Sequence, residues 1–134
     1  MDFYGAIRGV DSHLRSAQIE QLLKALDLQA MRKTLVKHLS GGNKRKLCVA
    51  QALLGRSRLV LLDEPTSGVD PSSKRKVWKL LSAVREEAAL LVSSHSMEEC
   101  EVMCQRVGIL VNGSMKCVGT AQQLKNRFAT IACS

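Results

Sequence analysis

The chain has 134 residues, one domain's worth or less, and its 46% apolar content favours a folded core over disorder. No apolar run approaches the length of a bilayer span and no charged-then-apolar leader opens the sequence, so a link to a membrane is expected through a partner or through further sequence. The 20 Lys and Arg against 12 Asp and Glu give +8, which raises phosphates, nucleic acid and acidic partners, yet aromatics at 3% are too few for a base-stacking platform. The basic residues fall in short groups, Lys44-Arg45-Lys46 and Lys74-Arg75-Lys76, on segments of helical pattern, where a solvated face accounts for them.

Ile19, Leu22, Leu23 and Leu26 follow helical spacing and predict an amphipathic helix over 16–28. A second helix is predicted from Asn43 to about Leu54, ended near Gly55. Leu59 to Leu62 is apolar throughout, the pattern of a strand covered on both faces. Asp70-Pro71 reads as an N-cap followed by proline at the first helical position, and Val77, Leu81, Val84 and Ala88 carry one apolar stripe onward. Leu90-Leu91-Val92 is a second buried strand, ending at Ser93-Ser94-His95. Ser96 and Glu99 have the spacing of a capping box that opens a helix just after the histidine. Residues 107–111, Asn112-Gly113 and residues 115–118 read as a hairpin, and Thr120 with Gln123 caps a last short helix through Phe128. Strand and helix alternate, so the class is α/β with a mainly parallel sheet.

Three places carry chemistry. Ser40-Gly41-Gly42 stands at the mouth of a helix, where unpaired amides and the helix dipole attract an anion and glycine lets a phosphate approach the backbone. Alone, that pattern is an ordinary loop. Asp63-Glu64 ends an apolar strand, the place where open α/β sheets bind ligands. Asp63 suits a magnesium ion held through water, and Glu64 suits a group that orients or deprotonates an attacking water. His95 follows another strand end and falls beside Glu64 if the two strands are neighbours, where it can hold a terminal phosphate oxygen. His13 and His38 read as surface residues. Five cysteines without a leader suggest reduced, cytosolic thiols, and Cys100 with Cys104 lacks the second ligand pair of a zinc site.

These pieces occur in a familiar order. Leu39-Ser40-Gly41-Gly42-Asn43-Lys44-Arg45-Lys46-Leu47 resembles the signature motif of ATP-binding cassette (ABC) transporters. Residues 59–63 resemble their Walker B strand, Glu64 their catalytic glutamate, Ser67-Gly68-Val69-Asp70 their D-loop and His95 their switch histidine. Asn43, the run from Ser94 to Cys100, and Asn112-Gly113 are similar to the A subfamily, whose members commonly move lipids. The resemblance runs from Phe3 to Phe128, and Phe3 to Gly9 resembles the segment just after the glutamine loop. No Gly-x-x-x-x-Gly-Lys-[Ser/Thr] occurs in the chain.

The resemblance implies a P-loop NTPase fold without its P-loop strand, residues 1–134 forming part of a nucleotide-binding domain. It implies ATP and Mg2+ as cofactors, with Ser40, Gly41, Gly42, Asn43 and Asp70 facing nucleotide, Asp63 serving the metal, and Glu64 and His95 in catalysis. A second nucleotide-binding domain and transmembrane domains are the implied partners, at the cytoplasmic face of a membrane, and no nucleic acid is expected. It implies ATPase activity in the complete protein and none in this chain by itself. In that fold the P-loop strand lies between the His95 strand and the strand at 107–111, so residues 90–92 should pair with 59–62 alone. A DNA-repair or chromosome ATPase segment, or a non-catalytic product that binds a partner cassette, are the other readings.

Overall fold

The computed structural model describes the backbone of residues 1–132 and the side chains of residues 1–126, in two compact units, Met1–Ser93 and Ser94–Ser134. Cys133 lies outside the described residues. The first unit holds α1 (Asp2–Ile7), α2 (Ser12–Ala25), α3 (Gly41–Leu53), β1 (Leu59–Asp63), α4 (Pro71–Val84) and β2 (Ala89–Ser93). The second holds α5 (Met97–Met103), β3 (Val107–Val111), β4 (Ser114–Gly119) and α6 (Ala121–Ala132).

Capping side chains set where the helices begin. Asp11 accepts the amide of His13 at 2.9 Å and starts α2 at Ser12, four residues before the expected start at residue 16. The first turn carries Leu14 with 59% exposure, so hydrophobic spacing does not reveal it. The 3₁₀ turns Gln29–Met31 and Val36–His38 follow, and Ser40 then caps α3 through the amide of Asn43 at 3.2 Å. Gly41 is thus the first helical residue, two positions ahead of the expected Asn43. Asp70 caps α4 through the amide of Ser73 at 3.0 Å, with Pro71 in the first turn as expected.

α2 packs on α3 and α4, and α3 packs on β1. Leu23 of α2 and Leu26 just past its end, Val49 and Ala50 of α3, Val60 of β1, and Val77 and Leu81 of α4 are all buried, together with Leu54. Val77 and Leu81 stand four apart on the stripe that the sequence predicts.

β1 and β2 pair in parallel, with Asp63 opposite Ser93. β2 has no other strand partner among the described residues, as expected. One expectation fails. Neither strand is buried on both faces as expected: Val60 and Leu62 of β1 are buried, whereas Leu59 and Leu61 of β1 and Leu91 of β2 are 57%, 63% and 65% exposed. An all-apolar strand encodes cover on both faces, but α3 accounts for one face and no described element of this unit lies on the other.

In the second unit β3 and β4 form the expected antiparallel hairpin. Asn112 and Gly113 both take positive φ, 50° and 74°, which matches the right-handed twist of the strands in a two-residue turn. Thr120 and Gln123 form the complete capping box: Thr120 N–H donates to Gln123 Oε1 at 2.9 Å, and Gln123 N–H to Thr120 Oγ1 at 3.2 Å. Among the described residues of this unit, Glu99, Met103 and Leu124 are buried.

Candidate functional site

The parallel register puts the two strand ends side by side. Ser93 Oγ hydrogen-bonds Asp63 Oδ1, and it also accepts the amide of Glu64 at 3.2 Å. The same amide donates to the Ser93 carbonyl at 3.1 Å. Glu64 itself has φ of 47°, a left-handed conformation that a residue with a side chain adopts at a cost. The carbonyl of Asp63 accepts Nη1 of Arg45 from α3 at 3.4 Å. Asp63 is exposed and Glu64 half-buried, so the carboxylate pair sits at the mouth of the strand, open to ligand.

The N-terminus of α3 is tied to the same end of the unit. A β-carbon at Gly42 would lie 3.3 Å from the Gly68 carbonyl oxygen and 3.6 Å from Val69 Cα, whereas one at Gly41 would meet nothing within 4 Å. Gly42 therefore lets the helix approach the Ser67–Asp70 turn, and Gly41 leaves open space before its own amide. Ser40 Oγ is occupied in capping Asn43, and the Lys44 amide is taken by the Ser40 carbonyl at 2.9 Å. The amides of Gly41 and Gly42 remain for an external acceptor. Asp70 uses its carboxylate as a cap. The amide and hydroxyl of Ser73 hold that carboxyl below its ordinary value.

The basic triplet of α3 is not the solvated face expected of it. Lys44 is exposed, but Arg45 reaches Asp63 and Lys46 is only 5% exposed. Both stand on the side of α3 that faces the unit. Charge alone does not reveal this, because the alkyl stem of a lysine or arginine can lie along the core while its charged end reaches a polar partner.

His95 belongs to the second unit and sits in a bonded loop. Ser94 Oγ donates to Glu99 Oε2 at 2.8 Å and accepts the Ser96 amide at 3.1 Å. Ser96 Oγ in turn accepts the Glu99 amide at 3.4 Å. The expected capping box is therefore half formed: the Glu99 carboxylate bonds Ser94 and not the Ser96 amide. Cys100, on the next turn, has its thiol pushed up by burial and by the nearby Glu99 charge.

Asp63, Glu64, Ser40, Gly41, Gly42, Asn43 and Asp70 thus lie on connected elements of one unit, and His95 on the other. Sequence reading did not single out Ser93 or Arg45. Their only prior signal was position: a hydroxyl at a strand end, and a guanidinium five residues after the serine that caps the helix. A magnesium ion fits the donor set, since Asp63 offers an exposed hard oxygen and this ion takes one or two carboxylates with the rest from water and phosphate. No group of three or more His, Cys, Asp or Glu that could hold a metal by itself exists among the described residues.

Parallel strands flanked by helices, a carboxylate pair at the strand end and a glycine-fronted helix beside it fit an incomplete P-loop NTPase fold. A solved structure titled "Structure of ATP binding subunit of ABC transporter" superposes with a TM-score of 0.81 at 24% identity, covering 96% of this chain and 55% of that one. The family model described as ABC transporter matches residues 6–67. ATP-binding cassette sub-family A member 13 of Homo sapiens is 46% identical over 127 residues, 94% of this chain and 2% of that protein. Phospholipid-transporting ATPase ABCA3 of Mus musculus is 43% identical over 128 residues, 95% of this chain and 8% of that protein. Glucosylceramide transporter ABCA12 of Homo sapiens is 42% identical over 127 residues, 94% of this chain and 5% of that protein. The chain is thus similar to ABC transporters, and among them to the A subfamily. It spans less than a tenth of the length of these relatives.

Proposed function

We propose that the chain supplies part of the ATP-hydrolysing site of an ABC transporter, which couples hydrolysis to the movement of lipid across a membrane. The observation that carries the reading is the strand-end cluster: Asp63 and Glu64 held side by side on β1 and bonded across to β2, with the open N-terminus of α3 tied to the same end.

In this reading Glu64 accepts the proton of the attacking water, and its fixed backbone sets where the carboxylate begins. Asp63 holds magnesium through water, and the ion when bound offsets phosphate charge. His95 donates a hydrogen bond to a terminal phosphate oxygen. Gly41 and Gly42 present helix amides to a nucleotide carried by a second nucleotide-binding domain, Ser40 and Asn43 flank them as the bonded cap pair, and Asp70 stabilises the turn beside them. The phosphate-gripping lysine and glycine loop belong to sequence that this chain does not contain. Support for lipid as the cargo comes from the names of the relatives, which include a phospholipid and a glucosylceramide transporter. Transmembrane domains are the remaining partners, a reading supported by the likeness to transporters; no helix among the described residues is long and apolar enough to cross a membrane. The site then faces the cytoplasm.

The test is reconstitution of the complete transporter in lipid vesicles, with ATP turnover and lipid translocation measured together. Glu64→Gln is expected to lower both by about 10²–10⁴. Unchanged turnover would remove Glu64 from the base role, and turnover without any lipid movement would remove the coupling.

A further inference from the structure

We infer that Ser93 is a positioning residue for this site: its hydroxyl aligns the Asp63 carboxylate and the Glu64 backbone with each other. The inference rests on the reading of Asp63 and Glu64 given above.

The hydrogen-bond arithmetic leaves one arrangement. The Glu64 amide is a donor only, so Ser93 Oγ must accept from it, at 3.2 Å. A serine hydroxyl has a single proton, and with the amide already its donor that proton points to Asp63 Oδ1. The result is a directed chain, Glu64 N–H to Ser93 Oγ–H to Asp63 Oδ1. It runs between the residue that holds the metal and the residue that takes the proton. One Asp63 oxygen is thereby assigned, and Oδ2 is not used by Ser93.

Two further features place this bond at a point of functional need. Glu64 stands at φ 47°, and its amide is held by both the hydroxyl and the carbonyl of Ser93, which offsets the cost of that conformation. Asp63 is also held from the opposite element, its carbonyl accepting Arg45 Nη1. Side chain and backbone of Asp63 are therefore fixed separately, by β2 and by α3. Groups that orient a metal's ligands commonly matter nearly as much as the ligands do.

A plain structural clip between two strand ends is the competing account. Ser93 is exposed, so Ser93→Ala removes an oxygen without opening a cavity, and the fold should survive it. The experiment uses the complete transporter containing this segment, with Ser93→Ala, Ser93→Thr and Ser93→Val beside Glu64→Gln. Turnover is measured against ATP and against magnesium. Manganese affinity of the ATP-bound protein is measured by electron paramagnetic resonance in the Glu64→Gln background, where turnover does not interfere. Ser93→Ala and Ser93→Val are expected to lower kcat and weaken manganese binding by about tenfold each, while Ser93→Thr restores both. Wild-type kcat and manganese affinity in Ser93→Ala, or a threonine variant no better than the valine one, would overturn the inference and leave the site reading standing. Full turnover in Glu64→Gln would instead overturn the site reading, and the role of Ser93 with it.

Discussion

At the scale of single residues, the two signature glycines do different work, and the difference is measurable. Gly41 faces open space, so Gly41→Ala replaces a poor helix former without a clash. Its Tm should hold or rise while ATP turnover of the complete transporter falls, because the added methyl stands before the helix amides. Gly42→Ala must push against the Gly68 carbonyl and should lower Tm as well. Equal thermal effects of the two variants would show that the turn at Gly68 does not constrain α3. Thr66 offers a second check, being fully buried with Oγ1 lacking a hydrogen bond among the described residues. Thr66→Val keeps the shape and removes the unpaired hydroxyl, so it should stabilise by about 1 kcal/mol in denaturant unfolding. Asp70 gives the pH dependence. Its folded carboxyl lies below the ordinary 3.8, so the charge favours the folded state above that value and stops doing so as pH falls through the folded value. The Tm difference between wild type and Asp70→Ala, present at neutral pH, should shrink once the pH drops below 3.8. A difference that grew with acidification would contradict the capping account. The candidate residues could be picked out at this scale because Ser40, Asp63, Glu64 and Asp70 sit in local motifs. Ser93 and Arg45 could not, since their roles exist only once β2 lies beside β1 and α3 beside both.

At the scale of elements, the sequence specifies what each segment is better than where it stops. α4 is clear from Asp70, Pro71 and the stripe through Val77 and Leu81. Leu81 is fully buried, and Leu81→Ala should cost about 2–5 kcal/mol, enough to abolish cooperative unfolding of so small a unit. A cooperative transition with an unchanged midpoint would mean that α4 does not anchor this core. The hairpin and its Asn112-Gly113 turn, and the capping box at Thr120, were legible for the same reason: the decisive residues are neighbours in the chain. The start of α2 was hidden because Leu14 faces solvent and breaks the stripe, although Asp11 marks the cap. Half of the Ser96–Glu99 box was misread because Glu99 has two acceptable donors, and Ser94 Oγ takes it.

At the scale of the whole molecule, the strand pattern and the described structure disagree in one informative place. Leu59, Leu61 and Leu91 are apolar and exposed, a face of β1 and β2 written for cover that the first unit does not provide. Such a face, beside a strand with one unused edge, favours association. Light scattering of the purified chain should show it, and Leu61→Lys with Leu91→Glu should reduce it without lowering Tm. Association that persists in this double variant would place the sticky surface elsewhere. The same incompleteness governs the chemistry. In the proposed reading Asp63, Glu64 and the α3 amides serve a nucleotide, but the sequence holds no Gly-x-x-x-x-Gly-Lys-[Ser/Thr] loop to grip the β- and γ-phosphates. Titrating magnesium-ATP into the purified chain at moderate salt, with phosphate release followed in parallel, tests this division most directly. The expected result is weak, salt-sensitive binding without saturation in the micromolar range, and no phosphate release above background. Micromolar saturable binding, or phosphate release abolished by Glu64→Gln, would contradict it and make the site complete within these residues.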